Sequence, residues 1–224
     1  MFKRFFIASV ALIGVACAGA EKSVEIASTP IVEGEVIELV AVPQVGGASI
    51  NESLWARKSS RDFTQEPLSL EELSGVIWAA AGVNRVENQH LTAPSALALY
   101  PIRTYAFLEG GVYLYGAANH KLNRVVEGDY RELSAMQDFA YTAQLNIVYV
   151  ADKSVYDGRG IDAAHVNMLC GLDAAGYAEN VNLYSAGHNL KAITRGSYKA
   201  QQILELLSLD SERYLVALAQ TVGK

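Results

Sequence analysis

The sequence predicts an α+β domain in which a mixed, mainly antiparallel sheet is flanked by helices. Three observations carry that prediction. Short apolar runs rich in β-branched and aromatic residues alternate with stretches of helical periodicity. The pair Gly110-Gly111 sits between two such runs and reads as a hairpin turn, which makes at least those strands antiparallel neighbours. A chain of 224 residues, 51% apolar and 19% charged, is long enough to bury one sizeable core.

The elements follow in order along the chain. Residues 1–20 have the layout of a secretory signal peptide. Lys3 and Arg4 open it, Phe5 to Ala16 is an apolar and small-residue stretch, and Ala18-Gly19-Ala20 precedes Glu21. That stretch is shorter than the roughly 20 residues a permanent span needs, so no transmembrane helix is expected after cleavage. The expectation is export to the periplasm. A lipoprotein anchored through Cys17 is the alternative, although Gly14 stands where such sites carry Leu. Cys170 is then left alone, as a buried small hydrophobe or a free thiol.

Residues 21–50 read as an extended arm. Glu33, Glu35 and Glu38 alternate with Val32, Val36, Ile37 and Leu39, which suits an edge strand before Pro43 and Gly46-Gly47 break the pattern. The domain proper is expected over 51–224. Asn51 can cap a short helix through Arg57. Ser69 and Glu72 form a capping box for a second helix that stops near Gly82. A short helical turn after Pro94-Ser95 precedes strands at 104–108 and 112–115. Further strands are expected at 123–126, 145–150, 191–194 and 214–222, and helices at 130–139, 160–189 and 198–207.

The formal net charge is −6 and no basic block is present, which excludes nucleic acid and anionic membrane surfaces as natural partners. Any local group of arginines must then have a local purpose. Arg57, Ser59 and Arg61 lie where the first helix gives way to extended chain, and two guanidiniums and a hydroxyl there can converge on one phosphate. A solvated basic turn is the other reading of the same residues. Arg195-Gly196-Ser197 falls between a strand and a helix start, where a glycine admits close backbone approach and free N–H groups favour an anion. A plain turn fits it as well. Thr92-Ala93-Pro94-Ser95-Ala96 offers a rigid ledge of small residues for a flat ring. His90, His120, His165 and His188 show no metal-ligand spacing, and no nucleophile with a partnering base is found.

Taken together, these segments resemble the FMN-dependent nitroreductase superfamily. Arg57-Lys58-Ser59-Ser60-Arg61-Asp62-Phe63 is similar to its opening motif, and Pro67 to Leu73, Trp78 to Gly82 and Asn84-Arg85 continue the likeness. Thr92 to Pro101 and Gly111 to Tyr115 are similar to the SagB-type, azoline-oxidase-like branch. Glu179 to Tyr184, Arg195-Gly196 and Ala219 to Gly223 match near the end, so the resemblance covers about residues 51–224. It implies a nitroreductase-like fold, FMN as cofactor and a homodimer with the flavin at the subunit interface. The activity it implies is hydride transfer between FMN and a small-molecule substrate. Carried over residue by residue, Arg57, Ser59 and Arg61 would hold the phosphate and ribityl chain, Pro94, Ser95 and Ala96 would lie along the ring, and Arg195 and Gly196 would assist at the phosphate. No catalytic side chain and no electron donor or acceptor is indicated. Two positions depart from the pattern: Ala98 where many members carry Asn, and Ala within Asp173-Ala174-Ala175 where Gly is expected. These losses keep open a second reading, an inactive binding or assembly protein of the cell envelope on the same scaffold.

Overall fold

The structure is a computed structural model that describes residues 29–224. The expected leader, Cys17 and the first part of the arm lie outside the described residues. Nine strands and four α-helices follow: β1 (Val36–Glu38), α1 (Ile50–Ala56), α2 (Leu70–Ala81), β2 (Val83–Arg85), β3 (His90–Leu91), β4 (Ile102–Leu108), β5 (Gly111–Gly116), β6 (Lys121–Glu127), β7 (Leu145–Asp152), α3 (Ala163–Gly187), β8 (Lys191–Arg195), α4 (Ala200–Leu206) and β9 (Tyr214–Gly223). Seven strands form one sheet in the order β1-β6-β5-β4-β7-β9-β8, every neighbouring pair antiparallel. One parallel bridge, Ser59 to Ala192, extends it beyond β8, so the expected class holds in detail.

β7 shows why this sequence makes this sheet. All eight of its residues are buried, because both faces of the sheet are covered there. Leu145, Ile147, Tyr149 and Ala151 point into the larger core, which contains Val76 and Ile77 of α2 and Tyr177 and Val181 of α3. Val148 and Val150 point the other way, toward Ile203 and Leu204 of α4. The ring of Tyr149 meets that of Tyr177 edge-on at 6.1 Å, and its hydroxyl donates to Gln220 of β9. Gln220 in turn donates to the Ala178 carbonyl and to Asn182, which fixes α3 across the sheet.

Both early helices carry capping boxes. Ser69 and Glu72 cap α2 as expected. For α1 the cap is Ser49 with Glu52, two residues earlier than Asn51. α2 can approach α3 closely because Gly75 lies under Tyr184: a methyl group there would sit 1.8 Å from the tyrosine oxygen.

One expected helix is absent. Residues 130–139 form two separate 3₁₀ turns, Arg131–Ser134 and Asp138–Ala140, with Ala135 extended between them. The cause is tertiary. The Ser134 carbonyl, which a helix would pair with an amide four residues on, accepts from Arg195 instead. A short hairpin, β2 with β3, is also present where the sequence showed only a connection.

Candidate functional site

α1 lies against the C-terminal end of α3. Ser53 is buried beside Gly187, and the Ala48 amide donates to the Gly187 carbonyl. Arg57 ends the helix with an extended backbone, and the chain then runs along β8, where the Ser60 amide donates to Ala192. Ser60 points inward and is buried; Arg57, Ser59 and Arg61 point outward and are exposed. Neither guanidinium has a hydrogen bond or an ion-pair partner among the described residues. The nearest acid in sequence, Asp62, is held by Lys191, whose ammonium donates to its carboxylate at 3.0 Å and to its carbonyl. That bond holds the Asp62 carboxyl below its usual range, and it leaves the two arginines without a neutralising carboxylate. Phe63, stacked near Phe139 and against Gly223, anchors the far end of the segment.

Arg195 departs from expectation. It is only 5% exposed, and its guanidinium points into the interior. It donates to the Ser134 carbonyl, to Asn146 at 3.0 Å and twice to the Thr221 hydroxyl, so it ties β7, β8, β9 and the 131–134 turn together. With no carboxylate beside it, burial lowers its pKa to about 10. The structure therefore does not bring this side chain together with Arg57 and Arg61. Gly196 is exposed, and a methyl group added there would meet open space, so its backbone is accessible. The helix that follows starts at Ala200, so no helix N-terminus abuts Gly196.

The third segment is a strained ledge, residues 94–100. Leu97, Ala98 and Tyr100 all have left-handed backbones, with φ of 56°, 54° and 47°. Each non-glycine residue in that region costs on the order of 1–2 kcal/mol, and such strain collects at functional sites. The ledge is tied at both ends. Thr92 donates through its hydroxyl to the last turn of α2, at Trp78 and Ala79. Ser95 donates its hydroxyl proton to Asp173 at 2.6 Å and accepts from the Tyr100 amide at 2.8 Å, while the Ala96 amide donates to the other Asp173 oxygen at 3.0 Å. Ser95 is thus turned inward, and what the ledge shows outward is the Pro94 ring and the side chains of Leu97 and Ala98.

Asp173 was not singled out by the sequence. The available signal was an acid flanked by Cys170, Ala174 and Tyr177 on the buried stripe of a helix. Ledge residues line hollows on two sides. One, of about 470 Å³, includes Arg85, His90, Pro94, Ser95 and Tyr100. The other, of about 400 Å³, includes Ala96, Leu97, His165 and Leu169. A third hollow of about 340 Å³ lies between α1, α2 and α3, with Trp78, Tyr184 and His188 in its wall. His188 stacks on Tyr184 at 3.9 Å, so it acts as part of that aromatic wall. Among the described residues no group of three or more His, Cys, Asp or Glu could hold a metal.

This fold and these segments match known proteins. The profile of the Nitroreductase family covers residues 54–224. A nitroreductase-like protein of Methanocaldococcus jannaschii is 28% identical over 190 residues, 79% of this chain and 92% of that protein. A crystal structure of a nitroreductase-like protein from Ralstonia eutropha JMP134 superposes with a TM-score of 0.79 at 34% identity, covering 88% of this chain and 93% of that one. A nitroreductase-like structure from Exiguobacterium sibiricum, solved in complex with FMN, shares the fold at a TM-score of 0.57 and 14% identity, covering 79% and 88%. The match along most of the chain, on a sheet and helices of the same arrangement, places this chain in the nitroreductase family.

Proposed function

We propose that this nitroreductase-family oxidoreductase binds FMN and uses it to exchange hydride with a small organic substrate. The observation that carries this reading is the pair of exposed guanidiniums, Arg57 and Arg61, without a partner among the described residues and flanking the Ser59 hydroxyl on a chain whose net charge is −6. That donor set fits a phosphate monoester: planar guanidiniums bind its oxygens in pairs, and the hydroxyl adds a further donor. The open backbone at Gly196 suits the same group. The small outward face at Pro94, Leu97 and Ala98 suits a flat ring. FMN supplies the two-electron chemistry when bound, so no protein nucleophile is needed. The chain's own part is to grip the phosphate, support the ring and exclude water from one face of it.

The working unit is a homodimer. The ledge meets α3 at Asp173, whereas α1, which leads into the arginine segment, meets it at Gly187, about 21 Å further along the helix axis at 1.5 Å per residue. One flavin mononucleotide gripped at both ends is more easily completed by a second copy than within one. Thr92 to Pro101 and Gly111 to Tyr115 favour the SagB-type branch, with dehydrogenation as the reaction direction. If residues 1–20 direct export, NAD(P)H is scarce where the protein works, and electrons from substrate pass to oxygen, a carrier or a membrane partner.

Titration of the purified protein with FMN tests the reading. Micromolar or tighter binding is expected, weakened at least tenfold in R57Q and in R61Q; a protein that takes up no flavin overturns it. Rapid stopped-flow reduction by micromolar NADPH would overturn the electron-source part alone. The inward turn of Arg195 and Ser95 is the observation that favours the alternative, a non-catalytic scaffold, because it removes two expected cofactor contacts. A colourless protein that stays colourless with added FMN would establish that alternative.

A further inference from the structure

We infer that Asp173 is a positioning residue for the flavin: through Ser95 and the Ala96 amide it sets the shape of the ledge against which the ring lies. The inference rests on the FMN reading above, and it gives a role to a residue that the family likeness covers, within Asp173-Ala174-Ala175, without assigning it one.

Asp173 is an acid on the buried stripe of α3, 5% exposed, with no cationic partner among the described residues. For the packing of α3 alone an apolar residue would serve better, because a buried carboxyl must be satisfied by hydrogen bonds. The bonds it makes all go to one place, the ledge. Its two oxygens take the Ser95 hydroxyl at 2.6 Å and the Ala96 amide at 3.0 Å, and Ser95 relays the hold to the Tyr100 amide at 2.8 Å. Within that loop lie the three left-handed residues Leu97, Ala98 and Tyr100. A strained backbone persists only where its surroundings over-determine it: two turn bonds, from the Ala98 amide to the Ser95 carbonyl and from the Leu99 amide to the Ala96 carbonyl, shape the loop, and the Asp173 carboxyl is what fastens it to α3. Two more buried hydroxyls, those of Tyr156 and Tyr177, have no hydrogen-bond partner and lie within the field of the same carboxyl. They make this a polar pocket under the ledge, in which the Asp173 carboxyl alone bonds the loop.

The relay has a consequence that separates it from direct cofactor contact. The single proton of Ser95 is committed to Asp173, so Ser95 acts on the ring through the shape of the ledge. The Ser95–Asp173 bond is lost in either variant, so the two losses should overlap and the double loss should fall clearly short of their sum, each residue keeping one bond of its own, Asp173 to the Ala96 amide and Ser95 to the Tyr100 amide. The experiment is a double-mutant cycle on full-length protein, S95A, D173A and S95A/D173A, read by FMN titration, the visible absorption maximum and the midpoint potential of the bound flavin. Each single variant is expected to lose about tenfold in FMN affinity and to shift band and potential in the same direction, with the double variant well short of the additive loss. Additive losses, about a hundredfold in the double, would mean that Ser95 bonds the cofactor directly. Wild-type affinity, spectrum and potential in D173A would also overturn the inference. Should D173A not fold, D173N serves instead: it keeps an acceptor for the Ala96 amide but reverses the bond to Ser95. It is expected to shift the flavin band and potential with little loss of affinity, and an unchanged band and potential overturns the inference. Wild-type protein that takes no FMN fails the earlier reading and is told apart from these outcomes before any variant is made.

Discussion

Burial favours the neutral imidazole of His120. Its Nε2 lies 3.0 Å from the Val40 carbonyl, which can only accept, so Nε2 carries the proton and Nδ1 accepts from the Tyr115 hydroxyl at 2.8 Å. The bond clasps the arm to the β5–β6 hairpin. Burial lowers the pKa of His120, so the unfolded chain binds a proton more readily than the folded one. The stability this clasp contributes is present above about pH 6.5, the ordinary histidine value, and declines as pH falls below it. Protection factors for hydrogen exchange at residues 36–40, taken relative to the intrinsic rate at each pH, should fall between pH 7 and pH 5 in wild type and show no such pH dependence in H120Q. Leu97 offers a second test at this scale. Glycine adopts φ of 56° without the side-chain clash, so L97G should relieve about 1 kcal/mol of backbone strain, offset by a loss of about 0.5–1 kcal/mol to chain entropy. Its melting temperature should stay within a few degrees of wild type, whereas an ordinary leucine-to-glycine change in a strand or helix lowers it clearly.

Among the elements, the strands and capped helices were legible because their signals are local. β7 reads as an uninterrupted apolar run since both its faces are covered, and α2 announces itself with Ser69 and Glu72. The segment 130–139 was misread because its fate depends on a partner far along the chain, Arg195, which takes the Ser134 carbonyl. The β2–β3 hairpin escaped notice because residues 84–89 are all exposed and carry no alternation. The site divides in the same way. The basic cluster at Arg57 and Arg61 is contiguous and was visible, while Asp173 and Ser95 are 78 residues apart and meet only in the fold. Arg195 was seen but its direction was not, since sequence carries no record of which way a guanidinium points. Its true role makes a prediction about strand cohesion. R195A leaves the Ser134 carbonyl, Asn146 and Thr221 buried without their donor, and should cost about 3 kcal/mol or more in urea unfolding. R195K should recover little of it, because an ammonium cannot reproduce the planar fork.

For the molecule as a whole, the face of α3 opposite its buried stripe is unusually apolar. Met168 and Leu172 are 51% and 60% exposed one turn apart, and on α1 Trp55 is 91% exposed. Monomers seldom leave such side chains in water, which agrees with the proposed dimer. M168E/L172K is expected to sediment as a monomer, with a melting temperature near wild type and FMN affinity reduced; a variant that remains dimeric would place the interface elsewhere. The two rims of the sheet complete the picture. β1 of the arm pairs with β6 at one rim, and the Ser59 segment lies on β8 at the other. An uncovered rim is a row of free amides and carbonyls that can recruit another chain, the usual first step toward fibrils. The segment that carries the exposed arginine pair is thus also a lid on one of those rows. Mutations that loosen it should show themselves as insoluble protein as well as lost flavin, and genetic selection for solubility alone would tend to preserve the proposed cofactor site.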